Sequence, residues 1–454
     1  SIIDAGHFDT QTAYAAVNTF RLDDLSPHIF RTHDGGKTWT EIVNGIPKGA
    51  AVNVVREDPK CKGLLFAGTE TQVWVSFDDG DHWSSLRLNM PATSIRDLII
   101  KNDDIAVGTH GRSFWILDDI APLRQLTPAT REAPAVLFKP AAAYRFRWSK
   151  YTDTPVPPDE PSGQNPPDGA IIDYFVGPRA MADAKLEIID PSANGRVIRT
   201  YSSSDTAMPP ADIGNTPWYW IRPTKVLSAE PGFHRFVWDL HYAPPAGTSS
   251  RPGEYPISAT PYDTPREPRG PWAAPGQYIV RLTIGGHSYI QPLTITMDPR
   301  VKTPPAEIAR MHATAVTLYD DIAKDSAATA AAHTLQARVA AVSVSDASAK
   351  AALAAFEDKL SALVGQSGGG RRGGRGRGGA AQPSLGSMSG DLLGMMQTIE
   401  QSDMAPTSQT MQAVARTEQD FAGVMARWNA LRTTELAAVN AKLKAAGGSP
   451  IGAP

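Results

Sequence analysis

Cysteine is almost missing: Cys61 stands alone in 454 residues, so no disulfide can form within the chain. That excludes a small stapled scaffold. It does not exclude an oxidising compartment, because a core of this size needs no staples. No run of 18 or more apolar residues occurs, so no transmembrane helix is expected. Neither charge sign dominates: 44 Lys plus Arg stand against 47 Asp plus Glu, a net −3. Nothing global draws the chain to nucleic acid or to an anionic membrane. The spacings HExxH and CxxC are absent, and no GxSxG stands in a nucleophile-elbow context, since the match at 365–369 (GQSGG) only opens a Gly/Arg-rich tract. We therefore expect no metal, no cofactor and no Ser-His-Asp hydrolase. A signal-peptide pattern is also lacking. The first residue is Ser and the chain opens directly on strand-like sequence. The expectation is a fragment or processed product whose N-terminal part is missing. Gly and Pro are abundant, 38 each, which favours many turns and linkers.

An octet occurs twice. Residues 32–39 read THDGGKTW and residues 76–83 read SFDDGDHW. Both fit Ser or Thr, any residue, Asp, any, Gly, any, any, Trp. In this pattern Thr32 and Ser76 end a strand with a hydroxyl that bonds locally. Asp34 and Asp78 accept N–H groups of their own turn. Gly36 and Gly80 supply a positive φ. Trp39 and Trp83 start the next strand and lie back across the turn, burying on the order of 200 Å². Every role is met within one hairpin, so the octet reads as structural. Calcium is the rival, through Asp78, Asp79 and Asp81. The first copy, however, has Gly35 and Lys37 at two of those positions, which a cage of six to eight oxygens does not tolerate.

Around the octets, residues 1–125 are strand-rich with a period near 44. TAYAAVN (12–18), GLLFAGTE (63–70) and DDIAVGTH (103–110) align, and each precedes a second alternating run. AVNVVRED (51–58) and SIRDLIIK (94–101) read as the fourth strands. Four short strands per 40–45 residues is the signature of a β-propeller blade, and about 2.5 blades are present where closed rings use roughly four or more. Upstream blades outside this chain are needed to close the ring. Residues 126–168 are Pro-rich and read as a linker. Strands return over 169–300, with hairpins at Ser192-Ala193-Asn194-Gly195 and Gly285-Gly286; their spacing suggests an immunoglobulin-like β-sandwich, with Trp238 and Tyr278 in its core. Over 303–447 the period becomes helical. Ile308, Met311, Ala315, Leu318 and Ile322 form one face, Leu353, Phe356, Leu360 and Leu363 a second, and Val414, Phe421, Val424, Trp428 and Leu431 a third. Four or five helices in a C-terminal α-helical bundle are expected. A Gly/Arg tract over 366–384 has no interleaved Phe or Tyr for base stacking and reads as a disordered linker, not as an RNA-binding segment. The fold class is thus multidomain and mainly β: partial propeller, sandwich, helical bundle.

The octet is the Asp-box, and the chain resembles the BNR/Asp-box repeat glycosyl hydrolase family, whose propellers are similar to the sortilin ectodomain. The resemblance rests on SPHIFRTHDGGKTW, VVREDPKCKGLLFAGTE, VWVSFDDGDHW and VGTHGRSFWILDDIAPLRQL. The stretches GFHRFVWDLHY and PGQYIVRLTI fit the family's C-terminal region less specifically. What the resemblance implies is a bacterial protein that is secreted, periplasmic or on the cell surface, with domains appended to a propeller. It does not imply catalysis.

If the octets brace one end of each sheet, any site lies on the loops at the other end. Those loops are NTFRLDDLSPH, with Arg21, Asp23 and Asp24; TETQ, with Glu70; and THGRS, with His110 and Arg112. Arg21, Asp23, His110 and Arg112 are the binding candidates. Glycoside hydrolysis requires two carboxyls about 5–9.5 Å apart; Asp24 and Glu70, from adjacent blades, are the candidate pair. The expected partner is a glycan, bound and possibly cut, or a protein or peptide held as sortilin-like propellers hold theirs, without chemistry.

Overall fold

The computed structural model describes residues 2–148, 154–178, 183–207, 216–248, 251–252, 257–365 and 382–453. The first 120 residues form three antiparallel meanders. The first comprises β1 (Ile2–Ala5), β2 (Ala13–Ala16), β3 (Ile29–Thr32) and β4 (Thr40–Glu41). The second comprises β5 (Val52–Glu57), β6 (Leu65–Thr69), β7 (Val73–Ser76) and β8 (Ser84–Ser85). The third has three strands, β9 (Ile95–Lys101), β10 (Asp104–Thr109) and β11 (Phe114–Leu117).

Side-chain alternation makes the sheets stack. In β6, Leu65 and Ala67 face the first sheet and meet Tyr14, Ala16 and Ile29. Phe66 faces the third sheet, with Ile95, Leu98, Ile105 and Val107. The middle sheet is therefore buried on both faces, and its strands β6 and β7 are buried throughout. The outer faces of the stack stay open: Ile3 is exposed on the first sheet, and Ile99, Phe114 and Ile116 on the third.

Two sequence expectations need correction. Residues 51–58 and 94–101 are not fourth strands of a preceding sheet. They hold β5 and β9, which pair with β6 and β10 and so open the following sheets. The sequence period is right but its phase is one strand off, because periodicity alone does not say where a unit begins. Nor is 126–168 only a linker. After a short helix α1 (Pro128–Glu132) it contributes β12 (Ala135–Leu137) and β13 (Ala143–Arg145) to two further sheets. Their alternation is too short to read among the prolines.

Those sheets share one core. One has the order β12, β14 (Ala170–Val176), β17 (Gly232–Trp238). The other has the order β13, β21 (His287–Met297), β20 (Gly276–Ile284), β15 (Ala184–Asp190), β16 (Arg196–Ser202). Ile172, Tyr174 and Trp238 meet Leu186, Val280, Leu282 and Leu293 between them. A small ribbon, β18 (Arg251–Pro252) with β19 (Arg266–Glu267), lies apart. The tight turn between β20 and β21 places both Gly285 (φ 57°) and Gly286 (φ 81°) in the left-handed region, as a two-residue hairpin of this hand requires.

Among the described residues five helical pieces follow: α2 (Pro305–Ala340), α3 (Ala347–Val364), α4 (Leu385–Ile399), α5 (Ser408–Ala430) and α6 (Leu436–Ala445), the last two joined by a π-helical turn, Leu431–Glu435. Their apolar faces bury one another. Residues 366–381 of the Gly/Arg tract lie outside the described residues. No described helix is long and apolar enough to cross a membrane.

Candidate functional site

The two octets make the same set of bonds. Thr32 Oγ1 donates to Asp34 Oδ1 (2.9 Å) and accepts from Gly36 N (3.0 Å). Ser76 Oγ donates to Asp78 Oδ1 (2.9 Å) and accepts from Gly80 N (2.9 Å). Asp34 Oδ1 accepts from Thr38 N, and Asp78 Oδ1 from His82 N, each at 2.9 Å. The second carboxylate oxygens face the Thr38 hydroxyl (2.7 Å) and the His82 ring (2.7 Å). Hydrogen bonds from the Thr38 side chain and then its backbone hold Asp34 down at about 2. Burial would raise Asp78, but bonds from His82 and Ser76 outweigh it and its pKa is lowered.

The extra acids of the second copy face sideways to the first sheet. Asp79 Oδ1 accepts from Tyr14 OH (2.5 Å), and Asp79 Oδ2 meets His33 Nε2 (2.9 Å). Arg31 donates to Asp79 O and to Asp81 Oδ1. Burial, then the Asp79 carboxylate, pushes the Tyr14 phenol well up. These acids link sheets and do not converge on a common centre. Among the described residues no group of three or more His, Cys, Asp and Glu could hold a metal ion.

At the opposite end, a hydrogen-bonded chain crosses all three sheets. Asn18 Nδ2 donates to Asn53 Oδ1 (2.5 Å), and Asn53 Nδ2 donates to Glu70 Oε1 (2.9 Å). Arg96 on β9 donates to the same Oε1 (3.2 Å). The sequence reading missed Asn18, Asn53 and Arg96. The available signal was an Asn in each of two otherwise apolar strand runs, TAYAAVN and AVNVV. Burial would raise Glu70, but Ser94, Asn53 and Arg96 more than offset it, and the carboxyl is held low. His110 lies close enough to contribute to that lowering.

Asp24 belongs to a different network. Its carboxylate meets His28 Nε2 (2.9 Å), accepts from Ser26 N (2.9 Å), and is held well below the usual range, first by His28 and then by Ser26. No hydrogen bond or ion pair joins Asp24 to Glu70 among the described residues. Asp23 sits in the left-handed region (φ 63°) and ends a short 3-10 turn. Arg21 lies over the Phe20 ring, 5.9 Å from its centroid. On this one loop Phe20, Leu22 and Leu25 are all exposed, Leu22 at 79 %. His110 and Arg112 are exposed on the third sheet's loop. Arg112 O accepts from Trp115 Nε1 (3.0 Å), while its guanidinium takes no partner among the described residues.

A second cluster joins the sandwiched sheets to the helices, and no motif announced it. Buried Arg145 and half-buried Arg147 both donate to Asp403 (2.9–3.1 Å). Both guanidinia also lie over the Trp272 ring, at 4.8 and 4.2 Å. Beside them Glu400 accepts from Trp272 N (2.8 Å), and burial lifts its carboxyl to about 7. Closed off among packed side chains, this cluster is a joint.

No family model matches the chain. A 63-residue stretch is 38 % identical to the vacuolar protein sorting/targeting protein 10 of Pyrenophora teres f. teres (strain 0-1). That stretch is 14 % of this chain, and it covers 4 % of the relative's length. Among solved structures, an ancestral GH74 enzyme aligns over 24 % of this chain and 13 % of its own, with 17 % identity and a TM-score of 0.21. YCF48 bound to D1 peptide aligns over 26 % of this chain and 36 % of its own, with 14 % identity and a TM-score of 0.20. TM-scores this low carry no weight for the fold or the function.

Proposed function

We propose that residues 1–125 belong to a β-propeller completed by blades outside this chain, that the sheets up to residue 300 form an immunoglobulin-like sandwich, and that the protein binds polypeptide on the loop rim without performing chemistry. The helices of 303–447 brace the sandwich from one side. A secreted or cell-surface setting fits this reading.

The observation that carries it is the state of the two candidate acids. A glycosidase needs one carboxyl kept protonated near neutral pH as general acid. Asp24 and Glu70 are both lowered, in separate networks, each held by cationic or amide partners. Both are committed to holding loops and neither is raised. What the rim offers is Phe20, Leu22 and Leu25 beside Arg21 and Asp23 on the first sheet's loop, and exposed His110 and Arg112 on the third sheet's loop. Exposed large apolar side chains flanked by charged ones suit a protein or peptide surface. The short likeness to a protein sorting/targeting protein points the same way.

The test is a displayed peptide library selected against the chain, run beside a polysaccharide panel. The expected result is saturable peptide binding that Leu22→Asp and Arg112→Glu each weaken, with no glycan bound or cut. Glycan turnover that Glu70→Gln or Asp24→Asn abolishes would replace this reading with hydrolysis.

A further inference from the structure

The crossovers that follow β4 and β8 are copies of each other. Ile42 N donates to Ile29 O (2.8 Å) and Leu86 N to Val73 O (2.9 Å). Four residues on, Ile46 N donates to Val43 O (3.0 Å) and Met90 N to Arg87 O (2.9 Å). So Ile42 corresponds to Leu86 and Ile46 to Met90. The sheets correspond as well. Trp74 pairs with Ala67 on β6, and Trp115 pairs with Val107 on β10.

On the first crossover lies Trp83. It is 4 % exposed, packs with Ile42, Ile46 and Trp74, and donates from Nε1 to Ile42 O (2.8 Å). It immediately precedes β8, the fourth strand of its sheet, which pairs antiparallel with Trp74 and Val75. On the second crossover the corresponding place is an open cleft of about 60 Å³. Leu86, Met90 and Trp115 line it, where Ile42, Ile46 and Trp74 line the filled one, and Leu88 and Ile116 add to its walls. Among the described residues the third sheet has no fourth strand. After β11 the chain turns away: Asp119 N donates to Asp104 Oδ1, and Ile120 N to Asp103 O. Among the described residues β11 pairs with β10 alone. Phe114 (79 %), Ile116 (60 %) and Leu88 (66 %) are exposed around the cleft and along the β11 edge. Leu88 is held at φ 48°, a conformation that leucine rarely adopts.

We infer that this cleft is a socket for a tryptophan side chain carried on an extended strand of a separate polypeptide, which pairs antiparallel with the free edge of β11. The internal copy supplies the occupant's chemistry: an indole followed by short polar residues, as in Trp83-Ser84-Ser85. Main-chain bonds to the edge strand give the affinity and the indole in its pocket gives the specificity, as in other cases of strand addition. The site lies along an outer strand edge, apart from the rim loops of the first two sheets.

The probe is a fluorescein-labelled octapeptide with the sequence of Gly80–Arg87, added to the whole chain and followed by anisotropy. The expected result is saturable binding, weakened roughly thirtyfold or more when the peptide's Trp is replaced by Ala. Ile116→Lys and Leu88→Glu, both at exposed positions that the folded core does not need, should each weaken it to a similar degree. Ile3→Lys, on the far face of the stack, should leave it unchanged. No saturable binding, equal binding of the Ala peptide, or full binding by both cleft variants would overturn the socket. The rim test uses neither this peptide nor these variants, so either reading can fail alone.

Discussion

The two octets share their sequence pattern and their hydrogen bonds, yet their tryptophans differ. Trp83 is 4 % exposed and Trp39 is 40 % exposed. The hydroxyl, carboxylate and glycine act within seven residues of one another, so both hairpins close in the same way. The indole reaches beyond its own hairpin. Trp83 has the 42–46 crossover of the preceding sheet beneath it, and its N is also bonded to Asn44 O. Nothing described here lies in the corresponding place beneath Trp39. A local motif therefore fixes a turn, while the neighbouring sheet decides how much stability its tryptophan contributes.

Substitution should separate those two parts. Trp83→Ala removes a packed indole and should lower the unfolding free energy by about 3–5 kcal/mol. Trp39→Ala should lower it by less than about 1 kcal/mol. Urea denaturation of the two variants checks this, and equal losses would break the comparison. The glycines should differ in the same direction. A Cβ on Gly80 would lie 2.3 Å from Ile42 Cδ1, and its φ is 93°. A Cβ on Gly36 (φ 84°) would meet nothing closer than 3.8 Å. Gly80→Ala therefore adds a steric clash to the backbone strain, and its melting temperature should fall further than that of Gly36→Ala.

The smallest effects appear on acidification. Asp34 and Asp78 have folded pKa values below their usual value of 3.8. Their contribution is complete above that value and is lost as the pH falls below it, toward about 2 for Asp34. Asp325, inside the helices, does the reverse. Burial raises it to about 6, the Ser389 hydroxyl donates to its Oδ2, and its Oδ1 has no partner among the described residues. It binds a proton more tightly folded than unfolded, so it favours the fold at low pH, and that support disappears as the pH rises from about 4 to 6. The helix-reporting signal should therefore show a gain in stability on going from pH 6 to pH 4, whereas the contribution of the octet acids to the sheets should begin to fall only below 3.8. Asp325→Asn should flatten the helical change alone.

Much of this was legible in the residues. The octet names its own hydrogen-bond partners, and GLLFAGTE reads as a strand, its apolar run suited to the burial on both faces that the structure shows. The helical faces could be read because Ile308, Met311, Ala315 and Leu318 repeat at the spacing of a helix turn. The phase of the meanders was not legible, because a repeat carries no mark for its first strand. Nor were β12 and β13, since three-residue strands are too short to alternate visibly. The chain through Asn18, Asn53, Glu70 and Arg96 escaped notice because its members are far apart in sequence and meet only when the sheets stack. The joint of Arg145, Arg147 and Asp403, separated by more than 250 residues, was hidden for the same reason.

Calcium titration tests the central claim most directly, that the octets are internal bracing for their hairpins. Unfolding of the wild-type chain and of Asp78→Ala is measured with and without millimolar calcium. The account predicts that the substitution destabilises the protein by the same amount in both conditions and that calcium leaves the wild type unchanged. Wild-type stabilisation by calcium that Asp78→Ala abolishes would contradict it and make the octet an ion site.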